Sequence, residues 1–131
     1  MNYWLLKTEP DCYNWSEMLT DKKTEWDGIH NYQARNFMRE MKKGDKAFFY
    51  HTGGERRIMG IVEIIKEAYP DPEDERWTWV DVKMLKGLER PIGLRELKEH
   101  PGFPPDMKLF KQGRLSVVPI EKQEWNLILS L

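Results

Sequence analysis

The sequence predicts an α+β fold: one mostly antiparallel sheet, curled into a small barrel and flanked by short helices. Three observations carry this. Apolar runs of strand length are joined by hairpin-type turns, helical spacing occurs only in short segments inserted between them, and no glycine-rich strand-to-helix turn of a doubly wound parallel sheet is present. With 131 residues the chain can bury one core but not two, so a single domain spanning 1–131 is expected.

Tyr3–Thr8 is an apolar run of strand length, stopped by Pro10. Asn14 or Ser16 can cap a short helix reaching Leu19. Ala34, Phe37, Met38 and Met41 recur at helical spacing, so a helix is expected from about Tyr32 to Met41, ended by Lys43-Gly44-Asp45. Ala47–His51 is the next strand, Thr52–Glu55 a hairpin turn and Ile58–Ala68 its second arm, broken by Pro70-Asp71-Pro72. From Trp77 to Leu88 side chains alternate, with Trp77, Trp79, Asp81 and Lys83 on one face and Val80, Val82 and Met84 on the other. Leu94–Glu99 forms a short helix before a proline-rich loop. Arg114–Val118 is the last strand and Glu121–Leu129 the last helix.

Composition narrows the function. A net charge of −1 disfavours a protein that grips long nucleic acid mainly through phosphates, although small basic clusters remain. A lone cysteine, Cys12, can form neither an internal disulfide nor a thiolate metal cluster. His30, His51 and His100 lack metal-ligand spacing, so no metal and no cofactor is expected. Ser116 lacks the Gly-x-Ser-x-Gly elbow, and Gly53-Gly54 lacks the Lys-Ser/Thr of a phosphate loop. No apolar run spans a bilayer and no signal-peptide pattern opens the chain, so a cytoplasmic monomer is expected, nuclear where the cell has a nucleus.

The most informative stretch is Trp26-Asp27-Gly28-Ile29-His30-Asn31-Tyr32-Gln33-Ala34-Arg35-Asn36. It interleaves two aromatic faces with three side-chain amides, a carboxylate, an imidazole and a guanidinium. Such a set suits a flat, polar heteroaromatic ligand, such as a nucleobase, better than a metal or an acyl group. Its bland alternative is a loop-to-helix junction whose polar groups only cap the helix. Lys7, Thr8 and Glu9 bring polar groups to a strand end, where they are either site residues or plain surface charges. His51 closes an apolar strand and either faces a site or bonds within the core. Basic clusters, including Arg56-Arg57 and the Lys108, Lys111 and Arg114 group, can together hold a few phosphates around one bound nucleotide.

Five motifs, in order, resemble the EVE domain: Tyr3–Pro10, Trp26–Asn36, Phe49-Tyr50-His51, Ala68–Pro72 and Arg114–Val117. EVE domains are similar to the YTH domain, a reader of methylated adenine, within the PUA-like superfamily. The resemblance implies a PUA-like barrel with a pocket for a flipped-out modified base, no catalysis, and modified cytosine in DNA, ahead of RNA, as the favoured ligand. It matches Leu5-Leu6-Lys7-Thr8 to the strand entering the YTH pocket and Trp26 to a cage tryptophan, with Asp27 and Gly28 beside it. Trp77 or Trp79 is the candidate second cage aromatic. Thr52 and Gly113 depart from the serine that many EVE members carry. On this basis Trp26 stacks on the base, Asp27 and Glu9 accept from an exocyclic amino group, and Asn31, Tyr32, Arg35 and Ser116 fix the ring and its sugar-phosphate. His51 and Arg114 complete the expected pocket. The alternative is a small nucleotide-acting hydrolase or transferase, with Glu9 or Asp27 as base and His51 as its partner.

Overall fold

The computed structural model describes residues 1–131. The elements in chain order are β1 (Tyr3–Thr8), α1 (Trp15–Asp21), β2 (Lys23–Trp26), α2 (Tyr32–Glu40), β3 (Lys46–His51), β4 (Arg57–Asp71), β5 (Asp74–Gly93), α3 (Leu94–Glu99), α4 (Lys108–Lys111), β6 (Val117–Ile120) and α5 (Lys122–Leu129). The six strands form one sheet in the order β2-β5-β4-β3-β1-β6. All neighbours are antiparallel except β1 and β3. The sheet curls like a barrel without closing, so β2 and β6 remain its two edges.

Local chemistry explains the helix starts. Asn14 caps α1 in a reciprocal box with Glu17, Asn31 caps α2 by accepting from the Ala34 N–H, and Glu121 with Glu124 closes a box at α5. Of the two candidate caps for α1, Asn14 takes the place and Ser16 lies inside the helix.

Several boundaries differ from expectation. Pro70-Asp71-Pro72 does not end the β4 arm: Pro70 pairs with Thr78, the register shifts beside it, and the hairpin tip follows at Asp71 and Asp74. A proline is tolerated there because the irregular ladder asks no N–H of it. The last strand begins at Val117, not Arg114, and β2 is a strand without a sequence signal, because its Lys23-Thr24-Glu25 carries no apolar alternation. Only Trp26 of that edge strand is buried.

The core covers both faces of the central strands: the consecutive residues Leu5 and Leu6, and Phe48 and Phe49, point to opposite faces, and with Val62, Ile64, Val80 and Val82 all are fully buried. Trp125 of α5 stacks on Phe48 at 4.0 Å and on Tyr3 at 4.6 Å. Gly60 is there for space: a Cβ on it would fall inside the Trp15 ring. The buried Asp45 carboxylate accepts from the Asn2 N–H (3.0 Å), the Trp4 indole (3.1 Å) and the Lys42 N–H (3.0 Å), which satisfies the charge and ties β1 to the start of β3. No helix is long and apolar enough to cross a membrane.

Candidate functional site

A cavity of about 450 Å³ occupies the region where the open sheet brings the end of β1 near the far edge strand β2. That volume lies within the range of small-molecule sites, roughly 300–1,000 Å³. Its lining comes from four stretches of chain: Lys7–Glu9 at the end of β1, Cys12 and Tyr13 in the following loop, Thr24–Ile29 from β2 onward, and Ser116 just before β6.

Backbone hydrogen bonds fix these stretches to one another. The Lys7 N–H donates to the Ser116 carbonyl at 2.9 Å, and the N–H groups of Cys12 and Tyr13 both donate to the Glu9 carbonyl. The Thr8 hydroxyl donates to the Tyr13 carbonyl at 2.9 Å. Trp26 ends β2 opposite Val80 and is only 5% exposed. It meets Phe49 edge-on at 5.5 Å and Tyr13 at 6.4 Å. It is therefore both core and cavity wall. Gly28 carries the chain away from it with φ +73°, a left-handed backbone that a larger side chain would strain.

The charges are uneven. Lys7 is the only cation in the lining, against the carboxylates of Glu9, Glu25 and Asp27, all three on exposed residues at the rim. Burial lowers the pKa of Lys7, whose Nζ donates to the Gly113 carbonyl at 3.0 Å. Burial, followed by hydrogen bonding to Asp21, pushes the Tyr13 phenol up to about 12, so it remains a neutral donor. The arrangement offers an aromatic wall, acceptors for an N–H-bearing ligand, and short hydroxyls.

The structure thus gathers Lys7, Thr8, Glu9, Trp26, Asp27, Gly28 and Ser116 around one cavity. The other expected residues stand elsewhere. Asn31 is occupied as a cap, its Oδ1 accepting from the Ala34 N–H at 2.9 Å. Tyr32, Arg35 and Trp77 form a separate surface stack: Tyr32 lies 5.0 Å from Trp77, with the Arg35 guanidinium 4.7 Å above Tyr32 and His30 5.3 Å from Trp77. Trp79 packs instead against Tyr69, whose hydroxyl donates to Asp81. Neither tryptophan of β5 lines the cavity; the aromatic that meets Trp26 there is Tyr13. Arg114 is exposed and outside the lining.

His51 is buried and structural. Its Nε2 accepts from the Trp15 N–H at 3.0 Å, which leaves Nδ1–H to donate to Glu55 at 2.9 Å. With both ring nitrogens engaged and the ring outside the cavity lining, the pairing with Glu9 or Asp27 that a hydrolase would need is not made. Sequence reasoning passed over Cys12, Tyr13, Thr24, Glu25 and Ile29. For Glu25 no linear signal exists, since only the curl of the sheet brings β2 to the end of β1, whereas Tyr13 is held there by the loop that follows β1.

Comparison with known proteins adds a family. Residues 2–131 match the EVE domain. Thymocyte nuclear protein 1 of Mus musculus is 38% identical, over 99% of this chain and 73% of its own length. The solved structure of Rpa0253 from Rhodopseudomonas palustris superposes with a TM-score of 0.93 at 40% identity, covering 99% of this chain and 92% of that one. Human THYN1, solved in complex with 5-methylcytosine-containing DNA, has a TM-score of 0.87 at 33% identity, covering 99% and 96% of the two chains. A YTH domain from Zygosaccharomyces rouxii shares the fold with a TM-score of 0.63 at 14% identity, over 98% of this chain and 84% of its own.

Proposed function

The chain belongs to the EVE domain family, and on that premise we propose that it reads a modified nucleobase, drawn out of its strand and seated in the cavity walled by Trp26 and Tyr13. One observation carries the reading: a cavity of about 450 Å³ combines an aromatic wall with hydrogen-bonding groups of both kinds in its lining. The relative solved with 5-methylcytosine-containing DNA, a third identical to this chain across nearly its whole length, supports modified cytosine in DNA, ahead of RNA, as the ligand.

The chemistry fits that ligand. Cytosine presents an exocyclic amino donor, which Asp27 or Glu9 accepts, and ring acceptors, which the Lys7 ammonium and the Ser116 hydroxyl satisfy. A 5-methyl group gains apolar contact against Trp26 and Ile29. Extrusion costs a few kcal/mol of stacking and pairing, and an aromatic wall returns roughly 1–3 kcal/mol per base. The Tyr32–Trp77 stack with Arg35 suits a nucleotide flanking the extruded one. The protein binds and does no chemistry, working as a monomer without metal or cofactor.

The test is a titration of matched duplexes with and without 5-methylcytosine, together with long incubation against a panel of nucleotides. Preferential binding with no turnover is expected. Equal affinity for both duplexes, or product formation that disappears on replacing Glu9 or Asp27, would overturn the reading.

A further inference from the structure

A second cavity, of about 370 Å³, opens on the other side of Lys7. Its polar lining is Lys7, Tyr50, Thr52, Arg56 and Lys98, and it contains no carboxylate. Lys7 therefore belongs to both cavities. Its Nζ uses one N–H on the Gly113 carbonyl, and an ammonium has three.

Arg56 is held in a left-handed backbone at the end of the turn between β3 and β4. Its backbone sits at φ +48°, one of two non-glycine residues with positive φ. Such strain persists where the surroundings over-determine it, and it concentrates at ligand sites. Here the Arg56 Nε donates to the Gly53 carbonyl at 3.2 Å, and its own carbonyl accepts from the Leu94 N–H at 2.8 Å. The residue is fixed at both ends while its two terminal nitrogens have no protein partner. The neighbouring carboxylate does not neutralise it, because Glu55 is taken by His51 and Arg57. Lys98 of α3 is exposed and forms no ion pair with the acidic residues of its own helix; those are bonded to Arg90 and Arg95.

We propose that this cavity is a phosphate site, taking a backbone phosphodiester of the strand whose base enters the first cavity, with Arg56, Lys98 and the shared Lys7 as its cations and the Tyr50 hydroxyl as a neutral donor. A guanidinium with free terminal nitrogens matches two phosphate oxygens at once, and ammonium groups act as point charges beside it. The absence of any carboxylate in the lining is what separates an anion site from an ordinary solvated face. With a net charge of −1 the molecule exerts little long-range pull on nucleic acid, so backbone affinity must come from local sites of this kind. The inference deepens the base-reading proposal and rests on it for the identity of the strand.

The test uses the double variant Arg56→Gly with Lys98→Ala. Glycine removes the guanidinium while accepting the left-handed backbone, so the turn keeps its shape; thermal melts check that the variant folds, and Lys98→Ala alone serves as a milder second variant. The probes are a duplex carrying 5-methylcytosine, the same duplex unmodified, and inorganic phosphate alone. Both duplex affinities should fall by a common factor, on the order of tenfold at low salt, with their ratio unchanged. The slope of log K against log salt should shrink by about 2, one per lost contact. Unchanged duplex affinity and slope would overturn the proposal, and so would a loss confined to inorganic phosphate, which would mark a free-anion site. If the unaltered protein shows no preference for the modified duplex, base reading falls, yet a common loss in the variant still supports the phosphate site.

Discussion

The two cavities on either side of Lys7 share that residue and little else. One carries three carboxylates, the indole of Trp26 and the phenol ring of Tyr13; the other carries Arg56, Lys98 and the phenol of Tyr50, with no acid at all. Both open from the end of β1, where Lys7 pairs with Tyr50 across to β3 and Thr8 pairs with His51. The sheet thus supplies position, while the loops that reach it supply the sign of the charge: acidic from Glu9 and the Glu25–Asp27 segment, basic from the turn after β3 and from α3. A whole-chain charge of −1 is the sum of such opposed regions and describes neither. An amino-bearing ring and a phosphate make opposite electrostatic demands, and a strand end with one acidic and one basic neighbour meets both.

Replacing Trp26 by alanine should give the largest effect and strike the acidic cavity alone. Loss of the aromatic wall should weaken binding of the modified duplex about ten- to a hundredfold, the equivalent of roughly 1–3 kcal/mol of stacking. Because the ring is 5% exposed and packs on Phe49, the melting temperature should also fall by several degrees. Trp26→Phe separates the two roles, retaining an aromatic face at a smaller packing loss. A Trp26→Ala protein that melts early yet binds normally in the cold would reduce Trp26 to plain core and remove the wall.

The fold was legible where burial is one-sided. Alternation along Trp77–Met84 separates two faces, and in the structure Val80 and Val82 are buried on one while Trp77, Trp79, Asp81 and Lys83 are half-buried on the other, with Met84 half-buried where the alternation fades. The β3–β4 hairpin and α2 followed from turn chemistry and helical spacing in the same way. An edge strand that buries one residue in four gives no such pattern, which is why β2 escaped. At the site, the strand end Lys7–Glu9 and the segment Trp26–Gly28 were readable because polar groups next to aromatics have no place in a core. Asn31 stands outside the cavity lining with its amide oxygen used as a helix cap, a role whose sequence signature is the same as that of a ligand contact. Tyr13 was missed because its partner Trp26 reaches it only through the curl of the sheet.

Asp27→Asn should alter choice more than strength. The carboxylate accepts from an amino group but has nothing to donate to a base that presents a carbonyl there, so it disfavours that base. Its amide replacement can do both. Discrimination between cytosine-type and thymine-type duplexes should narrow by about tenfold, while affinity for the preferred duplex changes less. A ratio that holds constant in the variant would assign the selectivity to Glu9 or Glu25.

A smaller effect is expected at the surface stack. Tyr32 is 55% exposed and braced between Trp77 and Arg35, so Tyr32→Ala removes a platform without opening the core. Affinity for an oligonucleotide should drop severalfold, with no change for the isolated modified nucleotide, which has no flanking base to stack. Equal losses on both probes would place Tyr32 within the base cavity's influence instead.

The finest test concerns the residue the two cavities share. Burial lowers the Lys7 pKa in the folded protein, so the charged form is disfavoured there relative to the unfolded chain. The sign then follows. Below the folded pKa both states hold the proton and the cost of burying the charge is constant. As pH rises through that value toward the ordinary lysine range, near 10.4, only the unfolded chain keeps its proton, and the contribution of Lys7 to stability improves. Nucleic acid binding should move the other way over the same window, since deprotonation removes a cation from the phosphate cavity and a donor from the base cavity. Lys7→Met isolates both trends from the titration of other lysines and of the bases. Relative to this variant, the unaltered protein should gain stability and lose affinity as pH rises toward the ordinary lysine range, read by denaturant melts and by titration with the modified duplex. Parallel curves for the two proteins would mean that the Lys7 charge is used only on the Gly113 carbonyl, and the two cavities would then be neighbours without being coupled.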